Sequence, residues 1–231
     1  MIVGGVFTML PLLAFVLTIN GQISLPVGVG LMGLGLFFLV ISWGYLFRVF
    51  VDALNGFELA FLPQWQDWKA YALAGGWLGL IVVGYCFFAG IGFMAVLSVL
   101  GLVPSGENPE QLAGVFMLLM LISVMLYGFF PIVFARFAAE RSVWAAFDPG
   151  AIWQDLKEIV NGNYIQACLG FFGLLLMGNL ILSNLPIVGL LLVSVYGFFM
   201  SVVFARVFGA MIRAAKQKKP PDLSEGSNRI S

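Results

Sequence analysis

Few residues in this 231-residue chain have types and spacings that could do chemistry. Gly28, Gly30 and Gly33 spell G-x-G-x-x-G, with Asp52 about 20 residues further on. In a turn between a strand and a helix, that pattern cradles a dinucleotide pyrophosphate. Here it lies inside a continuous apolar run, so close helix packing is the expected use of the glycines. The glycines of Gly75-Gly76-Trp77-Leu78-Gly79 read the same way. There is no histidine, which excludes imidazole acid–base catalysis and His-ligated metal or haem. The two cysteines, Cys86 and Cys168, are too few for a disulfide framework or a Cys-only zinc site and read as small buried hydrophobes. No catalytic group, cofactor or metal is therefore expected, and the chain is not expected to be an enzyme.

The polar residues that do recur point to binding rather than turnover. Trp65-Gln66-Asp67-Trp68-Lys69 matches Trp153-Gln154-Asp155-Leu156-Lys157. Arg48 precedes Trp65 by 17 residues and Arg136 precedes Trp153 by 17, so one offset of 88 relates Arg, Trp, Asp and Lys. A third arginine, Arg206, closes a run Tyr196-Gly197-Phe198-Phe199…Val203-Phe204-Ala205 that echoes Tyr127-Gly128-Phe129-Phe130…Val133-Phe134-Ala135-Arg136. Guanidinium groups grip phosphate through paired hydrogen bonds, and tryptophan favours the depth of lipid headgroups. Arg48, Arg136, Arg206, Trp65, Asp67, Trp153 and Asp155 are thus the candidate contacts for lipid phosphate or a partner protein. The two aspartates are expected to cap helices or to pair with Arg48 and Arg136, not to form a catalytic dyad.

The elements that carry these residues follow from composition. The chain is 61% hydrophobic and 10% charged, with a mean hydropathy of +1.04. A soluble domain is about 25% charged, and a globule of this size cannot hide so much apolar side chain. A soluble enzyme, a nucleic-acid binder and a disordered chain are excluded. The expected fold is an all-α membrane protein with six transmembrane helices, over about 2–19 (broken by Pro11), 27–47, 77–100, 113–135, 167–183 and 187–210. The offset of 88, with the echo of the fourth span's end in the sixth, groups them as three parallel-repeat hairpins. Two interfacial amphipathic segments, 50–69 and 137–162, join them. In the first, Phe50, Leu54, Phe57 and Phe61 share a helical face that Pro63 ends; in the second, Phe137, Trp144 and Phe147 do so, then Asp148-Pro149 starts a helix that Asn161-Gly162 ends. Residues 214–231 read as a basic, then disordered, tail. The leading segment of the first repeat is missing, so a start upstream of Met1 is expected.

Charge placement sets the direction. All eleven Lys and Arg fall on one side of this threading, whereas the opposite loops carry only Glu107 and Glu110. The positive-inside rule then puts both termini, and both interfacial segments, in the cytoplasm. No Asp, Glu, Lys or Arg lies at mid-depth in a span, which weighs against a proton-coupled carrier or pump. The expected role is a scaffold or accessory subunit of a membrane complex, or a lipid-organising component. The other expectation is a small transporter of an uncharged or lipidic solute, whose cavity Tyr45, Tyr127, Asn179 and Tyr196 would line.

Gly44-Tyr45 with Arg48, then Leu62-Pro63-Gln64-Trp65-Gln66-Asp67-Trp68 and Gly75-Gly76, resemble the prokaryotic membrane family known as domain of unknown function 4013. Arg136-Phe137-Ala138-Ala139-Glu140 with Ala145-Ala146-Phe147 looks like its second landmark, and the likeness runs from about Gly44 to Arg213. Gln66 departs from the acidic residue the pattern carries. The resemblance implies a multi-pass protein of a bacterial or archaeal inner membrane and supplies no activity or catalytic residue. Single thiols introduced as Gln66→Cys and Glu107→Cys, in a chain lacking Cys86 and Cys168, should react with an impermeant reagent from opposite compartments. Labelling of both from one side would overturn the threading.

Overall fold

The structure is a computed structural model that describes residues 2–57, 62–99, 109–185 and 188–217. Among the described residues there is no strand. Seven α-helices follow one another: α1 (Ile2–Ile19), α2 (Leu25–Asn55), α3 (Trp68–Val99), α4 (Pro109–Glu140), α5 (Pro149–Ile159), α6 (Gly162–Ser183) and α7 (Val188–Gln217). A 3₁₀ turn, Trp144–Phe147, links α4 to α5. Five helices hold stretches long and apolar enough to cross a membrane, in α2, α3, α4, α6 and α7. The first expected crossing, α1, adds a shorter apolar stretch, Phe7–Ile19. The outward faces of α3 and α6 carry Val83, Phe87, Phe88, Leu180 and Ile181 exposed. Such contiguous apolar surface needs lipid around it, and the chain is a multi-pass membrane protein.

Helix boundaries depart from the hydropathy reading in a consistent way. At 1.5 Å per residue, the 31 residues of α2 span about 46 Å, well beyond a hydrocarbon core of about 30 Å. The first expected interfacial segment, 50–69, is therefore divided: residues 50–55 end α2, 68–69 start α3, and 56–57 and 62–67 between them are not helical. No separate helix runs over residues 50–57. Gly56, at φ 77°, stops α2, and the Gly56 and Phe57 N–H groups return to the Ala53 and Asp52 carbonyls. The expected stripe divides accordingly: Phe50 is buried and Phe57 exposed, while Phe61 lies outside the described residues. In the second segment, 137–162, Phe137 belongs to α4, and Arg141 at φ 51° turns the chain out of it. Asp148 then caps α5 as expected, its Oδ1 accepting from Gly150 and Ala151 N–H at 3.0 and 3.1 Å with Pro149 in the first turn. Asn161 does not end α5. Its side chain accepts from the Tyr164 N–H at 3.0 Å and starts α6, five residues before the expected span.

Pro11 does not break α1, which runs through it. Gly35 of α2 faces that proline, where a methyl group would come within 2.6 Å of the ring nitrogen. Gly28, seven residues earlier on the same face, packs on Thr18. Gly30 and Gly33 of the same motif meet nothing within 4 Å, so packing accounts for only part of it. Residues 214–217, expected in a tail, extend α7; the rest of that tail lies outside the described residues.

α2 is the hub, packed against α1, α3 and α7. Its closest crossing is with α3. A Cβ on Gly44 would overlap the Tyr71 carbonyl, and one on Gly75 would overlap the Val40 carbonyl. The second seam is with α7, where Gly209 lies against Ala53 and the Phe50 carbonyl. Tyr45, Val49, Phe198, Val202, Phe208 and Ile212 fill the core between these helices. Gly44→Ala should therefore cost about 1–3 kcal/mol, the usual penalty of overpacking. Gly76→Ala, where nothing lies within 4 Å, should be neutral or slightly stabilising. Unfolding midpoints in one detergent check the pair.

Candidate functional site

The charged residues gather at one end of the bundle, where α2 and α4 finish and α3 begins. The α3 start is fixed by two tyrosine contacts. The Tyr71 hydroxyl donates to the Gln64 carbonyl at 2.7 Å, which ties the 62–67 connection back onto α3. Trp65, in that connection, stacks on Tyr45 with ring centroids 4.2 Å apart and planes 8° from parallel. Phe198 of α7 lies 6.1 Å away on another side. Trp65, expected as a headgroup anchor, is thus a half-buried packing residue. Asp67 remains at the edge, its Oδ1 accepting weakly from the Ala70 N–H at 3.4 Å as a cap of α3.

The residues related by the offset of 88 do not behave alike. Arg136 Nη1 holds Asp155 Oδ2 at 2.9 Å, and its Nη2 holds Glu140 at 3.0 Å. That pair is mostly enclosed, the side chains being 22% and 14% exposed, and the Arg136 Nε is buried with no partner. Arg48 instead meets Asp52, one turn on, at 3.1 Å, and is 60% exposed. No ion pair joins Arg48 to Asp67 among the described residues. The difference is local. Asp148-Pro149 starts α5 upstream of Trp153, so Asp155 rides on a helix that leans against α4. In the other half the Trp65 stretch is a turn, and the helix begins only at Trp68. Trp153 accordingly projects, 59% exposed, with the Lys157 ammonium 5.2 Å from its ring centroid. Asp52 and Glu140, also 88 residues apart, take part in these pairs although neither was among the expected contacts. Their i, i+4 spacing from the arginines was the available signal.

Arg206 lies within electrostatic reach of Tyr45 in the core beside α7. Of the three boundary arginines, Arg48 lines the outer hollow described below, and Arg136 is taken up by Asp155 and Glu140. Cys86 is exposed on α3, against expectation, while Cys168 is buried. Among the described residues no three Cys, Asp or Glu side chains gather as a metal cage would. Of the residues expected to line a wet cavity, Tyr127 lines the inner hollow described below, whereas Tyr45 is buried against Trp65. Asn179 donates to the Leu175 carbonyl of its own helix at 2.8 Å, and the Tyr196 hydroxyl to the Leu174 carbonyl at 2.6 Å.

Two hollows lie in the gap between α3 and α4. The outer one, about 1200 Å³, is walled by Arg48, Asp52, Asp67, Arg141, Trp77 and Trp144. The inner one, about 350 Å³, is apolar and sits deeper among α2, α3, α4 and α7, beside Trp43, Leu78, Phe130, Phe134 and Phe204. Phe47 lines both. The aromatic clamp, the glycine crossing and the charged rim fall within one matched region: a family described as "Protein of unknown function (DUF4013)" matches residues 27–187. The chain belongs to the DUF4013 family. The DUF4013 match begins before Gly44 and ends before α7, so it is shifted from the stretch over which the sequence motifs suggested it. Comparison with curated proteins and with solved structures gave no match.

Arg136→Gln should destabilise the protein by about 1–3 kcal/mol, because it leaves the enclosed Asp155 carboxylate unsatisfied. Arg48→Gln should cost less than Arg136→Gln, because the Arg48 guanidinium is 60% exposed and water can take its place at Asp52. A double-mutant cycle of Arg136→Gln with Asp155→Asn measures the coupling; no coupling would contradict the geometry.

Proposed function

We propose that this chain is a non-catalytic protein of a bacterial or archaeal inner membrane that organises lipid, or serves as a scaffold or accessory subunit of a membrane complex. In this reading α1 is a sixth crossing and the spans form three hairpins of like direction. Both termini and the basic end face the cytoplasm. The 137–162 segment supplies an amphipathic shelf, with Ile152 and Ile159 turned into the protein and Trp153 outward. Other subunits of a membrane complex would dock on these cytoplasmic segments, and no nucleic acid is a partner.

The supporting observation is the outer hollow. Charged Arg48, Asp67 and Arg141 there stand beside the exposed indole of Trp144 and next to apolar helix faces. Mixed charge and indole at the end of a spanning bundle is the chemistry of the headgroup layer, not of an aqueous active site. A small transporter of an uncharged or lipidic solute is the second reading, favoured by the inner hollow. It is weakened by the polar groups of Asn179 and Tyr196, which are spent on nearby backbone carbonyls.

Purification in mild detergent, with quantitation of retained lipid and protein, tests the proposal. A fixed ratio of retained lipid or a stoichiometric membrane subunit is the expected result. A monodisperse particle carrying neither would overturn it, and solute flux into vesicles that depends on Asn179 would favour the second reading.

A further inference from the structure

The charge inventory of the outer hollow is more specific than its polarity. Arg48 and Asp52 answer one another at 3.1 Å. That leaves Arg141 and Asp67 on the same walls, both exposed, neither in an ion pair among the described residues. Arg141 is held there by the backbone, since its φ of 51° is where α4 ends and the chain turns toward Trp144. Asp67 is held by the Tyr71 and Trp65 anchors of its loop. The corresponding acid in the other half, Asp155, is consumed by Arg136. One positive and one negative group, neither in an ion pair among the described residues, thus face one solvent-accessible hollow.

An apolar hollow also adjoins it. Phe47 forms a shared wall between it and the chamber of about 350 Å³, a volume in the range that accommodates small apolar ligands. A free metabolite has no use for such a chamber at membrane depth. A molecule with a charged head and a hydrocarbon tail uses both.

We infer that the gap between α3 and α4 binds a glycerophospholipid whose head carries both a phosphate and an ammonium group, the phosphate at Arg141 with Arg48 and the ammonium at Asp67. Guanidinium–phosphate contact is charge-assisted, and a primary ammonium gives the Asp67 carboxylate hydrogen bonds that a trimethylated one cannot. An acyl chain passes Phe47 into the inner chamber. This assignment rests on the reading of the chain as a lipid-facing membrane protein.

The test uses the full chain in detergent, titrated with brominated phosphatidylethanolamine, phosphatidylglycerol or phosphatidylcholine, with quenching of tryptophan fluorescence as the readout. Phosphatidylethanolamine should quench at least tenfold lower concentration than either of the others. Asp67→Asn should abolish that preference, and Arg141→Gln should weaken phosphatidylethanolamine binding at least tenfold, with Arg141→Lys restoring much of it. Free phosphoethanolamine should compete poorly, because it lacks the tail. Equal quenching by all three lipids, tighter phosphatidylglycerol, an unchanged preference in Asp67→Asn, or full competition by the free head would each overturn the inference. Thiol labelling of positions 66 and 107 reports separately on the threading, so a wrong topology and a wrong ligand give different failures.

Discussion

In lipid, two helices gain nothing by hiding apolar surface from each other, since the tails around them are as apolar as leucine. What remains is close contact, and α2 with α3 have it at Gly44 and Gly75, where each backbone lies against a carbonyl of the other. That crossing brings Tyr71 to Tyr45, rings 5.7 Å apart. Tyr71 then secures the Gln64 carbonyl, and Trp65 stacks on Tyr45. The direction of the 62–67 connection, the position of Asp67 and the near wall of the outer hollow all descend from two missing methyl groups.

The far wall depends on charge. Arg136 sits where α4 nears its end, and an unpaired guanidinium that is 22% exposed would be costly. Asp155 and Glu140 answer it, and in doing so fix α5 beside α4. The Tyr85 hydroxyl donates to the Ala146 carbonyl and its ring stacks on Phe147 at 5.0 Å, so α3 is braced against the 3₁₀ turn as well. The same Tyr85 ring meets Phe129 and Phe130 of α4 at 5.1 and 6.1 Å, so aromatic side chains bridge α3 and α4 beside the hollows.

Much of the fold was legible because lipid imposes simple rules. Continuous apolar runs gave the helices, and Asp148-Pro149 announced α5. Helix ends were less legible, since hydropathy reports where polarity begins and not where hydrogen bonding stops. Gly56 and Arg141, through positive φ, decided those ends. The repeated Trp-Gln-Asp pattern also misled in part. Identical residues became a turn at Trp65 and a helix at Trp153, because what precedes them differs: Pro63 in one case, a capped proline in the other. The outer hollow was not legible at all. It depends on three elements distant in sequence and on the failure of Arg48 to reach Asp67.

The seam between α2 and α7 has a consequence for biogenesis. Roughly 150 residues separate Ala53 from Gly209, and Arg213 reaches across to Gly56, at the carbonyl end of α2. A nascent chain inserts its helices in order, so α2 must wait in the bilayer, one flank uncovered, until α7 leaves the ribosome. The region shared with the family ends before that closing helix. A ribosome that stalls between the two leaves a half-built bundle for quality control to recognise.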